Sequence, residues 1–144
     1  MKNLYLTNAY IQKKGNEDDS NIYLNIAIPK IMDLQDSPYL LIIQSITENN
    51  SRITIYPIMS EKIMKLSLIG QDISNDMVEI LSDILKKYEI IHSSGILKKK
   101  KDFFYECYLN FSLSDSKSKD LKTSLDKIKN IFKEIKIEEI GLKN

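Results

Sequence analysis

The feature that most restricts what this chain can fold into is a change of hydrophobic period, repeated in a set order after residue 60. Met64, Leu66 and Leu68 alternate with Lys65 and Ser67 as in a half-buried strand, and Gly70 ends it. Met77, Ile80, Leu81, Ile84 and Tyr88 then recur at three and four residues, the spacing of one helix face. Ser74 suits the N-cap of that helix, Asp76 and Glu79 its positive first turn, and Lys86 and Lys87 its end. Strand patterning returns over Glu89 to Leu97 and Asp102 to Phe111, on either side of Lys98 to Lys101. Leu121, Leu125, Ile128 and Phe132 next share one helix face, ringed by Lys119, Lys122, Asp126, Lys127 and Lys129. Ile135 and Ile137 alternate with Lys136 and Glu138 as a last strand.

The order βαββαβ predicts a ferredoxin-like domain, in which two helices cover one face of a four-stranded antiparallel sheet. In the strand from Asp102, residues Phe103, Tyr105, Cys107, Leu109 and Phe111 are expected under the helices. Phe104, Glu106, Tyr108 and Asn110 then fall on the face without helices. Two aromatics there point to a dimer interface, packing against the N-terminal half, or a ligand surface.

The first 60 residues read as strands. Leu4 to Ile11 and Asn21 to Ile28 flank the polar turn KKGNEDDS, and Pro29 favours a short helical turn over Lys30 to Leu34. Tyr39 to Thr47 and Arg52 to Tyr56 form a hairpin around ENNS, with Asn49 and Asn50 expected at positive φ and Pro57 closing the unit. The join at Ile58 to Lys62 is too short for a flexible linker. The chain is thus expected to be α+β, with a β-rich module over 1–60 and the ferredoxin-like βαββαβ domain over 61–144.

Composition narrows the function. With 144 residues, 42% hydrophobic and 28% charged, the chain is a globular type. A formal charge of +1, from 21 basic and 20 acidic residues, gives no global pull toward nucleic acid or anionic lipid. A single cysteine, Cys107, excludes an intrachain disulfide and fits a reducing cytoplasm. The first residues lack the apolar core of a signal peptide, and the longest apolar run, Tyr39 to Ile43, falls far short of the roughly 20 residues of a membrane span. No Gly-rich phosphate loop, His-Glu-x-x-His or G-x-S-x-G is present, so no catalytic residue, metal ligand or cofactor is assigned and the chain is expected not to be an enzyme.

Two family resemblances follow from these residues. The segment IAIPKIMDLQDSPYLLIIQSITENNSRITIYPI, Ile26 to Ile58, resembles the swapped-hairpin module of AbrB/SpoVT-type transcription regulators: a strand ending in IPK, a short helix, and a hairpin ending in I-x-P. The resemblance implies two interlocked chains and DNA contact by basic surface residues, here Lys13, Lys14, Lys30 and Arg52. Residues 1–60 carry five basic against six acidic side chains, and GNEDD stands where that family often has Gly-Arg. Met64 to Ile140 resembles an ACT domain, a ferredoxin-like sensor that pairs and often binds an amino acid. On this resemblance LSLIGQDISNDM is the turn into the first helix, and Gly70, Gln71, Asp72 and Ile73 line a ligand site.

Other constellations read more simply. A hairpin symmetric about Lys99 and Lys100 sets His92 opposite Cys107 and Gly95 beside Phe104. One His and one Cys lack the further ligands or oxyanion donors that metal or nucleophilic chemistry needs, so the pair reads as packing. Lys98 to Lys101 reads as a solvated turn that can also meet phosphate or an acidic surface. KDFFYECY echoes the aromatic strand of an RNA-recognition motif, but Asp102, Phe104 and Glu106 break the pattern and the strand MKLSLIG has no stacking aromatic.

Together these readings lead to a cytoplasmic homodimeric regulator, with DNA and a small metabolite such as an amino acid as partners and no membrane. The alternative is a non-catalytic adaptor that binds protein and never nucleic acid.

Overall fold

The structure is a computed structural model that describes Ala9, Ile11, residues 37–71 and residues 74–142. Contacts divide the chain into Met1–Met32 and Asp33–Asn144. The division lies well before residue 60, where the hydrophobic period changes, so the Tyr39 hairpin belongs to the same unit as the strands and helices after it. The expected strand over 21–28, the helical turn over 30–34, and all of 4–11 except Ala9 and Ile11 lie outside the described residues. Ala9 and Ile11 are exposed and in no strand.

The second unit is mixed α+β and antiparallel throughout its sheets. A hairpin of β1 (Tyr39–Ile46) and β2 (Ser51–Ile58) forms a two-stranded sheet. The rest runs β3 (Ile63–Gly70), α1 (Asn75–Leu85), β4 (Ile90–Ser93), β5 (Leu97–Lys99), β6 (Asp102–Leu109), α2 (Ser116–Asp126), a 3-10 turn at Lys129–Ile131, and β7 (Glu134–Ile140). The sheet order is β4-β6-β3-β7, with β5 beside β4 along the same edge of β6. With β4 and β5 counted as one interrupted strand, this is the βαββαβ order read from hydrophobic period.

Alternation decides which side of the sheet is the core. Met64, Leu66 and Leu68 of β3 and Phe103, Tyr105, Cys107 and Leu109 of β6 point one way and are buried with Met77, Leu81 and Leu85 of α1, Leu121 and Leu125 of α2, and Phe132. Completely burying a side chain such as Leu66 or Leu121, both 0% exposed, stabilises by about 1.5–3 kcal/mol. Helix α1 starts at Ser74, whose hydroxyl accepts the Met77 N–H at 3.1 Å. Its buried stripe is Met77, Leu81 and Leu85, while Ile80 is exposed. Helix α2 stops at Asp126, before Ile128 and Phe132, which reach the core from the turns that follow.

Several local expectations are corrected. Neither Asn49 nor Asn50 has positive φ; Lys100, at 59°, is the one described non-glycine residue that does. The hairpin loop is four residues, Thr47 to Asn50, closed by the Thr47 N–H donating to the Asn50 carbonyl at 2.8 Å. A loop of that length does not need the left-handed angles of a two-residue turn. Pro57 lies within β2, which tolerates it because a two-stranded sheet has only edge strands. The strand expected over Glu89 to Leu97 is broken at Gly95, φ 71°, and β4 carries a register shift between Ile90 and His92. The turn closes with Lys99 opposite Asp102, so Leu97, not Gly95, pairs with Phe104, and beyond the break His92 pairs with Tyr108 and Ser93 with Cys107.

Among the described residues no helix is long and apolar enough to cross a membrane. Gly70 ends β3 opposite Phe103, and a Cβ built on it would collide with the edge of the Phe103 ring. The ring takes the place of a side chain at Gly70. Gly70→Ala should therefore destabilise the fold by about 1–3 kcal/mol in urea unfolding. Adding Phe103→Leu should lessen that loss, and simple additivity of the two would clear Phe103 of causing it.

Candidate ligand-binding cleft

Because both helices lie on one side, the sheet presents Lys65, Ser67, Glu106, Tyr108, Lys136 and Glu138 on the other. Lys65 is central. Its Nζ is 3.5 Å from Glu106, 3.9 Å from Glu138 and 5.6 Å from the centroid of the Tyr108 ring. Burial pulls the Lys65 amine down, but Tyr108, Glu106 and Glu138 together outweigh it and hold the group above its ordinary value.

The β1–β2 hairpin lies over part of this face. Its register places Leu41 with Tyr56, Ile43 with Thr54 and Ser45 with Arg52 on one side. Tyr56 Oη is 2.7 Å from His92 Nδ1, and the two rings meet edge-on at 5.5 Å. His92 in turn meets Tyr108 edge-on at 6.1 Å. Leu41 and Ile63 are buried although neither belongs to the core beneath the helices, and both line the small hollow where the hairpin meets the end of β3. The side of the hairpin turned away exposes Leu40, Ile42, Ile46 and Ile53.

Between hairpin and sheet lies a cleft of about 510 Å³. The hairpin lines it with Ile43, Ser45, Arg52 and Thr54, and the sheet with Lys65, His92, Ser93, Ser94, Leu97, Glu106 and Tyr108. The two serines are already engaged. Ser93 Oγ donates to Tyr105 Oη at 3.2 Å and accepts the Gly95 N–H, while Ser94 Oγ donates to the Gly95 carbonyl and accepts the Glu106 N–H at 2.9 Å. They set the shape of the broken edge at Gly95 and thereby of the wall.

The residues singled out from sequence fall in different places. Arg52 lines the cleft, is exposed, and has no ion pair among the described residues. Lys13, Lys14 and Lys30 lie outside the described residues, as do Asp72 and Ile73. Gly70 is buried under Phe103 and Gln71 is exposed at the end of β3; neither lines the cleft. Cys107 is buried on the helix side, away from His92, and burial pushes its thiol up to about 11, against the lowering effect of a hydrogen bond with Tyr105. The expected His92–Cys107 neighbourhood is therefore corrected: beyond the break at Gly95, His92 pairs with Tyr108 and turns toward the hairpin. Lys65 was readable as a polar residue on a half-buried strand, but nothing local in the sequence joined it to Arg52.

Compared with known proteins, the chain matches no family model and no curated sequence.

Two outcomes follow from the burial here. Cys107 should resist a thiol reagent at pH 8 in the folded protein and react fully once urea unfolds it; prompt labelling of the folded chain would contradict its buried placement. Lys65→Met should cost about 1 kcal/mol near neutral pH, because Glu106 then loses its one described ion-pair partner and Glu138 keeps only Lys136, at 4.0 Å. A lysine raised on folding stabilises below its ordinary value of 10.5 and loses that effect as pH passes the raised value. The difference between wild type and variant should hold steady from neutral pH to about 10 and shrink above it, as read from urea midpoints across pH.

Proposed function

We propose that this chain is a non-catalytic, homodimeric, ligand-responsive regulator whose sensing site is the cleft between the β1–β2 hairpin and the helix-free sheet face. The observation that carries this reading is the cleft itself: a hollow of about 510 Å³, within the range of small-molecule sites, furnished with one guanidinium, one compensated lysine, two aromatic rings and two apolar side chains. The βαββαβ order of 63–140 supports the ferredoxin-like and ACT-like assignment, and the β1–β2 hairpin is the described part of the AbrB-like segment. Ligand contact shifts the regulator only by binding one arrangement of the hairpin or of the paired chains better than another. The Tyr56–His92 contact, the one described hydrogen bond between the hairpin and the sheet, is the natural point for such a bias. DNA contact belongs in this reading to Lys13, Lys14 and Lys30, with Arg52 serving the cleft.

A second reading has its own observation. The outer side of the hairpin exposes Ile42 at 61% and Ile46 at 74%, a surface suited to a protein partner and favouring the adaptor.

Native mass spectrometry of gently purified protein, with fluorescence anisotropy on random-sequence duplex at low salt, tests the regulator. The expected result is a dimer retaining a small mass, and duplex binding that weakens as salt rises. A bare monomer without duplex binding at tens of micromolar protein would overturn the regulator in favour of the adaptor.

A further inference from the structure

The charges on the cleft wall are not balanced, and the imbalance names a class of ligand. Lys65 is held by Glu106 within the cleft and by Glu138 beside it. Arg52 remains as the cation without an ion-pair partner among the described residues, on a strand whose facing residue is Ser45. A guanidinium with free donors beside a hydroxyl matches an oxyanion better than any neutral or cationic group, since its planar fork can bond two oxygens at once. On the opposite wall the Tyr108 hydroxyl and the Nε2 of His92 have no hydrogen-bond partner among the described residues, because His92 meets Tyr56 through Nδ1. Their rings, with Ile43 and Leu97, offer a largely apolar surface beyond the charged end.

We infer that the cleft binds a small organic anion, with a carboxylate or phosphate head on Arg52 and a flat, apolar body against Tyr108 and His92. This rests on the ligand-sensing reading above and assigns its ligand a chemistry. The volume admits a molecule of fragment to metabolite size and excludes a duplex or a folded partner.

The test is an NMR titration of the full, isotopically labelled chain with benzoate, phenyl phosphate and benzamide. At about 10 mM, where a fragment with a millimolar Kd is mostly bound, benzoate or phenyl phosphate should shift the Arg52 side-chain N–H and the His92 and Tyr108 ring signals. Benzamide has the shape of benzoate without the charge and should leave them in place. Arg52→Ala should weaken the anion by about ten- to a hundred-fold, the usual loss for a hydrogen bond to a charged group, and Arg52→Lys should restore part of it. Arg52 is exposed, so unchanged amide signals elsewhere certify that the variant is folded. The relative affinity of the two anions distinguishes a carboxylate from a phosphate head. The inference is overturned if neither anion moves these signals, if benzamide moves them equally, or if the shifts gather at Lys98 to Lys101. A null titration leaves dimerisation and duplex binding to stand by themselves, whereas loss of those two would leave an observed anion shift intact.

Discussion

Lys65 occupies the middle of a sheet face that no helix covers, bridging Glu106 on one neighbouring strand and Glu138 on the other while lying over the Tyr108 ring. A βαββαβ unit always has this difficulty, because both of its crossover helices pack on the same side. The opposite side must be wet, paired or covered. Here it is made polar at its centre, which excludes a second dry core, and partly roofed by a hairpin, which excludes a fully open surface.

The consequence is a division of labour between two interfaces of different strength. Fourteen buried residues under the helices form one continuous core, and each large side chain there contributes about 1.5–3 kcal/mol. Among the described residues the hairpin meets the sheet through the hollow lined by Leu41 and Ile63 and through one hydrogen bond between Tyr56 and His92, the latter contributing about 1 kcal/mol by ordinary measure. The cleft lies between the two. Its side walls come from separate structures, so a ligand touching both Arg52 and Tyr108 acts on their relative position.

Much of the scaffold was legible in the order of hydrophobic periods. Alternation in β3 and β6 named the buried side correctly down to Cys107, and Ser74 marked the start of α1. Errors gathered where one residue of backbone geometry decides the outcome. The lysine turn closes with Lys99 opposite Asp102, which puts β5 two positions off the symmetric register; the break at Gly95 leaves His92 one position off, and the bulge between Ile90 and His92 removes the rest, each unit of slip exchanging the residue that faces a given partner. Phe103 over Gly70 was missed for a related reason: a glycine at a strand end looks like a stop, and only the pairing register shows that a ring fills its place.

The scaffold was local information: side-chain period, cap chemistry and turn residues act over a few positions and can be read in line. The cleft was not. Arg52 and Tyr108 are separated by most of the βαββαβ unit, and their meeting depends on a hairpin that the sequence placed with an N-terminal module, folded back over a face whose polarity allowed it. Which face is left open follows from period alone, but what comes to lie on it is set by packing between distant segments, whose energy is spread over contacts that no short window of sequence contains.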